Sequence, residues 1–267
     1  SLLNLTLEEL LNLVQDELKE NENNSDELEE EIYIHDSRHL KVLNKGSKLW
    51  NHWRDKNPNV PPQLEGAKPK ENYLDGIDLN GAYLRKTYLK GKSLKRAIFH
   101  GADLREANLS NADLSNAKLL NVNFNSANLS SAYLYKADLT GANLQNADLR
   151  NAYFSHANLT FVNLADALCY GTYFKDAELK FANFKTAKFS QKTMIDPKWY
   201  SVWEIANYGA AKKNLRGADL SNANLQGVDF ESANLTNAKL SHAILRHSNL
   251  TNANLTNSDL AGANVCG

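Results

Sequence analysis

Seven histidines, two cysteines and scattered carboxylates are the groups in this 267-residue chain that could catalyse, and their spacing gives them little to do. His35, His39, His52, His100, His156, His242 and His247 stand apart from one another. No serine–histidine–aspartate order, HExxH pair, P-loop or glycine-rich dinucleotide turn occurs, and no Cys/His spacing suits zinc. The sequence therefore predicts no catalytic residue, no metal ligand and no cofactor. Binding chemistry is better represented. The stretch "LRKTYLKGKSLKR" gathers Arg85, Lys86, Lys90, Lys92, Lys95 and Arg96, and seven bases face one acid between Arg85 and Arg105. Such a cluster can be a solvated basic face, a dock for an acidic segment of the same chain, or a nucleic-acid contact, the last being least favoured.

The elements that position these groups follow from a five-residue beat. In "ADLREANLSNADLSNAKLLNVNF", leucines stand at Leu104, Leu109, Leu114 and Leu119, Phe124 takes the next slot, and alanines precede the leucines by two places. Neither regular element has this period. Five residues turn an α-helix by about 500°, so the leucines define no face, and on a strand they would point alternately to opposite sides. A chain that bends about a quarter turn every five residues returns each leucine to a common axis. The beat runs from Leu74 to Met194 through 25 central positions, then from Leu215 to Val265 through 11 more. The 21 residues between Met194 and Leu215 shift the phase by one, so something is inserted there.

This A(N/D)LXX pattern resembles the pentapeptide repeat family over about 190 residues. The resemblance implies an all-β solenoid, a right-handed quadrilateral β-helix with four repeats per coil. About nine coils stacked about 4.8 Å apart would make a rod on the order of 43 Å long. In such a rod the central Leu or Phe fills the axis, the small residue two places earlier also points inward, and the remaining positions face water. Gly76, Gly81, Gly91, Gly101 and Gly141 follow two places after the centre, where a corner needs dihedrals that glycine tolerates. Lys92 and Lys213 fall at the inward small position and are expected to force their coils open. Residues twenty apart should lie above one another. Tyr133, Tyr153 and Tyr173 then form a column, as do Asn123, Asn143, Asn163 and Asn183. Either column is open to two readings, a self-stabilising ladder or a binding surface.

The rest of the chain reads as helix and linker. Thr6, Leu7, Glu8 and Glu9 form a capping box before Leu10, Leu11, Val14 and Leu18 at helical spacing. From about Ser37 one helix is predicted to align Leu40, Leu43, Ser47, Trp50 and Arg54, ending at Asn57-Pro58. Its "WNHWRDKNP" resembles a segment preceding the repeats in cyanobacterial members, and it would cap the open edge of the first coil. Asp196, Pro197 and Gly209 frame an inserted helix with Trp199, Val202, Trp203 and Ala206 on one face. All four tryptophans thus lie outside the repeats, and Trp199 and Trp203 either pin the helix or contribute to a partner site. The predicted regions are 1–60 (acidic helical segment and cap), 61–194 (first repeat block), 195–213 (helical insertion) and 214–267 (second repeat block).

Charge separates the parts. The whole chain carries 30 bases and 31 acids, yet residues 1–36 hold twelve acids and one base, leaving the remainder net basic. The leading functional reading is a non-catalytic interaction protein, a rigid rod meeting another macromolecule through its outer walls. Candidate contact residues are Tyr133, Tyr153, Tyr173, Trp199, Trp203, Arg85, Lys86, Lys90, Lys95 and Arg96. A second reading comes from the resemblance, in which some members mimic B-DNA and regulate topoisomerases. That role wants an acidic rod, and between Asn72 and Lys192 ten acids stand against fifteen bases. Two cysteines and the resemblance imply a cytoplasmic protein with no disulfide framework, no apolar run long enough for a membrane span is present, and an uncapped last coil would suit a homodimer.

Overall fold

The computed structural model describes residues 36–266, so the capping-box helix and most of the acidic segment lie outside the described residues. Over the repeats the chain turns at every fifth residue. The residue two places after each centre has φ near +60°, as at Asn111 (59°) and Gly101 (65°). The next residue closes the corner, the Ala107 N–H donating to the Leu104 carbonyl at 3.1 Å. A positive φ at the third of four turn residues is what a type II turn requires, which explains the glycine and asparagine found there.

Four corners make a coil, and parallel bridges link residues twenty apart, such as Asn128 with Asp148. The Leu129 N–H donates to Asp148 O at 2.8 Å in the coil above, and the Asn128 N–H donates to Ala107 O at 2.9 Å in the coil below. One N–H per repeat remains outside this ladder, and the Asn or Asp before the centre takes it. Asn128 Oδ1 accepts from the Ser130 N–H at 2.9 Å and from Ser130 Oγ at 2.7 Å. The motif's polar residue is thus a turn-former that occupies an otherwise unpaired donor. The central residues from Leu104 through Leu164 are fully buried, and so are their inward alanines. Along the same axis Phe154 and Phe174 stack at 5.2 Å. This is a four-sided β-helix. Its sides are numbered here by their centres: face 1 through Leu104, face 2 through Leu109, face 3 through Leu114 and face 4 through Leu119.

Two inward lysines do not open their coils. Lys92 is buried, yet its N–H keeps the corner bond to Leu89 O and its C=O accepts the ladder bond from the Asp113 N–H. Its Nζ reaches the Glu71 carbonyl at 2.8 Å and Asn72 Oδ1 at 3.1 Å in the irregular first coil. Lys213 likewise keeps its corner bond to Ala210 O and its ladder bond from the Asn234 N–H. Each lysine lies at the bottom of a block, where no regular coil packs beneath it.

The N-terminal cap is two helices rather than one. α1 spans Ser37–Leu43 and α2 spans Ser47–Lys56, separated at Gly46, whose φ of 98° no helix can contain. Trp50, Leu43 and Arg54 are buried as the single stripe required. The cap also supplies polar partners that a preceding coil would have given. Asn51 Nδ2 donates to Gly76 O at 2.9 Å, and its Oδ1 accepts from the Asp78 N–H at 2.8 Å. The Gln63 N–H donates to His39 Nδ1 at 3.0 Å, the Lys70 N–H to Asn44 Oδ1 at 2.6 Å, and Trp50 Nε1 to Asp78 O at 2.6 Å.

The phase shift falls earlier than the beat implies. Met194 does not reach the axis; it bridges Tyr173, 21 residues away, and is half exposed. One extra residue in the turn Ser190–Thr193 moves the axial position to Ile195, which packs against the core. The inserted helix α3, Pro197–Tyr208, starts at Asp196 and stops at Gly209 (φ 69°). Asp196 makes no side-chain cap; its Oδ2 accepts instead from the Asp176 N–H at 3.2 Å. Trp199, Val202, Trp203 and Ile205 are its buried residues, with Ala206 only half-buried. The ladder resumes at Ala210, whose N–H donates to Asp229 O at 2.8 Å. On one corner the two blocks meet directly, through the Phe181 N–H and Asn222 O at 2.8 Å.

Candidate partner surface

Face 3 carries the tyrosine column. Tyr133 and Tyr153 bridge through their backbones, and their rings stack at 5.1 Å with planes 4° apart. Tyr173 continues the stack at 6.2 Å, tilted by 32°. Tyr133 is 49% exposed and Tyr153 44%, so each ring gives one face to its neighbour and an edge to water. Met194 occupies the next rung. Beside the column, Tyr135 meets His156 edge-on at 5.6 Å, and Lys136 Nζ lies 5.1 Å from the Tyr135 ring. The result is a strip four rungs high, about 14 Å at sheet spacing, in which soft and aromatic side chains outnumber charges.

The two tryptophans of α3 face inward. Trp199 is 8% exposed and packs in the core, with Lys198 Nζ at 4.9 Å from its ring. Trp203 stacks flat on Phe189 at 4.6 Å, and its Nε1 donates to Ala187 O at 2.9 Å. Pinning the helix is thus their observed role. Trp203 nevertheless lines a cleft of about 220 Å³ on face 2 with Tyr170, Lys188, Phe189 and Tyr208.

The basic cluster is dispersed by the same geometry that gathers the tyrosines. Twenty residues complete a circuit, so Arg85 and Lys86 belong to face 1, Lys90 to face 2, and Lys95 and Arg96 to face 3. Acids neutralise part of the set: Arg85 lies 2.6 Å from Glu106, Lys86 lies 3.8 Å from it, and Lys95 lies 3.3 Å from Asp113. The Arg85 hydrogen bond holds the Glu106 carboxyl below its usual range. These residues form no single patch.

A family model for pentapeptide repeats matches the chain in eight copies, spanning 77–191 in overlapping stretches and then 214–252 and 233–267. The chain belongs to the pentapeptide repeat family. Members form right-handed quadrilateral β-helices, the architecture seen here. Among solved structures, this pentapeptide repeat protein is similar to HetL, a pentapeptide repeat protein involved in heterocyst differentiation regulation from the cyanobacterium Nostoc sp. strain PCC 7120. That match is at 28% identity over 79% of this chain and 94% of that one, with a TM-score of 0.22. It is also similar to a pentapeptide repeat protein of the Arabidopsis thaliana thylakoid lumen at 28% identity, over 46% and 76% of the two chains, TM-score 0.28. Rfr23 from the cyanobacterium Cyanothece 51142 matches at 25% identity over 48% and 93%, TM-score 0.24. No curated protein sequence matches. With superpositions this loose, the family assignment rests on the repeats.

Sequence reasoning missed one exposed feature. Phe161 and Phe181 sit at the corner position two after the centre, with φ of 60° and 59°. Bulky residues there cost about 1–2 kcal/mol each. Their rings stack at 4.7 Å, and Phe161 is 57% exposed. The signal was present, because every other corner position in the two blocks holds a glycine, polar or charged residue. Among the described residues no group of three His, Cys, Asp or Glu could hold a metal, and no helix is long and apolar enough to cross a membrane. Cys169 is buried, which pushes its thiol well above its ordinary value.

Proposed function

We propose that this pentapeptide repeat protein is a non-catalytic interaction protein whose partner protein docks on face 3 through Tyr133, Tyr153 and Tyr173. The observation carrying this reading is the Tyr133–Tyr153 stack, two half-exposed rings held parallel on a flat, rigid wall. Tyrosine gives large contact area at low entropic cost and is enriched at the centre of interfaces. The packed axis supports the same reading, since buried central residues leave the outer walls as the means of acting. Trp203 and the face 2 cleft would extend the contact rather than centre it. The free Cys169 and Cys266 suit the reducing interior of a cell, which is the setting proposed.

The test uses the full chain and the double variant Tyr133→Ser/Tyr153→Ser. Proteins captured from native lysate by the parent chain should be lost by the variant, while Arg85→Gln/Lys90→Gln retains them. The melting midpoint should move by only a few degrees, because an exposed aromatic pair contributes about 0.5–1.5 kcal/mol. Retention of the same partners by the tyrosine variant would leave the column as a structural ladder.

A further inference from the structure

On face 1 the insertion removes one rung and leaves a polar gap. Below the gap, asparagine amides form a directed chain. Asn183 Nδ2 donates to Asn163 Oδ1 at 2.9 Å, Asn163 to Asn143 at 3.2 Å, and Asn143 to Asn123 at 3.3 Å. Above the gap the column resumes at Asn224, which bridges Ile244; no bridge joins Asn183 to Asn224. Between them lies a cleft of about 350 Å³, lined by Asn183, Lys185, Asn224, Gln226 and His247, with Ala206 contributed by α3.

The missing rung leaves groups of both kinds without ladder partners, the Asn224 and Gln226 carbonyls as well as the Asn224 N–H, but the charge lining the cleft has one sign, that of Lys185. The two asparagine side-chain oxygens are occupied: Asn183 Oδ1 accepts from the Lys185 N–H at 3.1 Å and Asn224 Oδ1 from the Gln226 N–H at 3.3 Å. The cleft's donors are not. Elsewhere in the ladder the residue before the centre gives its N–H to the coil below, as Asn183 does to Val162 O and Ile244 to Ala223 O, both at 2.9 Å. At Asn224 that acceptor would have come from the stretch now coiled into α3, and the bond is not formed. Asn224 Nδ2, the Gln226 amide and Lys185 Nζ likewise make no hydrogen bond or ion pair with described residues. No carboxylate lines the cleft; Glu204, two residues before Ala206, is exposed on α3 and is not among the lining residues.

We propose that this cleft binds a small, multiply charged anion bearing carboxylate or phosphate groups. Lys185 supplies positive charge, and the Asn224 N–H with the Asn224 and Gln226 amides and the His247 ring supplies further hydrogen-bonding groups. The volume falls within the range of small-molecule sites. Because the cleft opens to solvent, its affinity is modest and weakens with salt. This site is independent of face 3, so a silent cleft would leave the partner proposal untouched.

The experiment titrates the full chain at low ionic strength with citrate and, separately, with pyrophosphate, followed by calorimetry. One saturable site per chain is expected, with Kd below about 1 mM for at least one probe. The better probe identifies the carboxylate or phosphate source. Lys185→Gln should weaken binding at least about tenfold with an unchanged melting midpoint, whereas Lys175→Gln on face 3 should leave it intact. Should Lys185→Gln fold poorly, the Asn224 amide resonance of the parent chain provides the second readout and should shift in step with saturation. No saturation by about 10 mM of either probe, binding indifferent to Lys185→Gln in a folded variant, or an unmoved Asn224 amide would overturn the assignment.

Discussion

Asn51 does the work of a missing coil, and removing it gives a sharp test of how the rod is capped. Inside the repeats, each coil is bonded on both sides, as when the Ile98 N–H donates to Ile77 O at 2.9 Å. The first coil has a neighbour on one side only. On its open side, one carboxamide takes the Asp78 N–H at 2.8 Å and gives its own N–H to Gly76 O at 2.9 Å, the pattern a strand would offer. Asn51→Ala deletes both bonds and leaves both backbone groups half-buried. Each bond contributes about 1 kcal/mol net, and water can enter the vacated site, which caps the loss at about 2 kcal/mol. In a solenoid that loss stays with the nearest neighbours, so the first coil should fray while the rod persists. Amide hydrogen exchange reads this directly. The Asp78 amide should exchange about 30-fold faster, since 1.4 kcal/mol is tenfold, while the Leu129 amide, bonded to Asp148 O at 2.8 Å, keeps its protection. Unchanged exchange at Asp78, or equal acceleration along the whole rod, would refute the capping argument.

The remaining predictions address the axis, the cap and the corner. Leu129 is fully buried, and Leu129→Ala should cost about 2–5 kcal/mol in denaturant unfolding through the cavity left at the axis; an unmoved midpoint would contradict a packed core. His39 is held below its ordinary value of 6.5 chiefly by burial, with Arg38 and Arg54 pushing the same way and Asp36 opposing. Its Nδ1 accepts the Gln63 N–H, so the ring must be neutral. The folded state therefore binds fewer protons than the unfolded one, and cap stability is full above pH 6.5 and falls as pH drops below it toward the lowered folded value. Fluorescence of Trp50 and Trp53, both in ring contact with His39, should report that loss, and His39→Leu should abolish its pH dependence. Phe161→Asn should leave the melting midpoint unchanged or raise it, since asparagine tolerates the left-handed corner and relief of about 1–2 kcal/mol offsets a stack worth about 0.5–1.5 kcal/mol. A large destabilisation there would show that the phenylalanine pair serves the fold.

Much of the fold was legible because each repeat position has one physical task. Leucine at the axis, alanine beside it and glycine at the corner could be read from a single stretch, and the tyrosine column followed once twenty residues made a circuit. The basic cluster misled for the same reason. Neighbours in sequence such as Arg85, Lys90 and Lys95 are carried to three different walls, while distant residues such as Tyr133 and Tyr153 are brought into ring contact. The cap helices divided at Gly46 because a glycine with φ of 98° interrupts a stripe that periodicity alone reads as continuous.

The insertion shows what a beat of five cannot decide and a count of twenty can. Met194 and Ile195 are both apolar, so either could serve as the last axial residue of the first block. Leu215 lies twenty residues beyond Ile195, one full coil, whereas its distance from Met194 fits no whole number of sides. The stretch from Ile195 to Ala210 therefore keeps the length of three five-residue steps while replacing the two axial centres between them, with α3 rising outward between two axial residues. Because the replacement is commensurate, the second block resumes with its faces above those of the first, and Asn224 returns to the wall that Asn183 left. A helix one pentapeptide shorter would have turned the upper block by a quarter and set a different wall above Lys185. The polar cleft on face 1 thus exists because the insertion preserves the register of the rod while withholding one rung of its backbone.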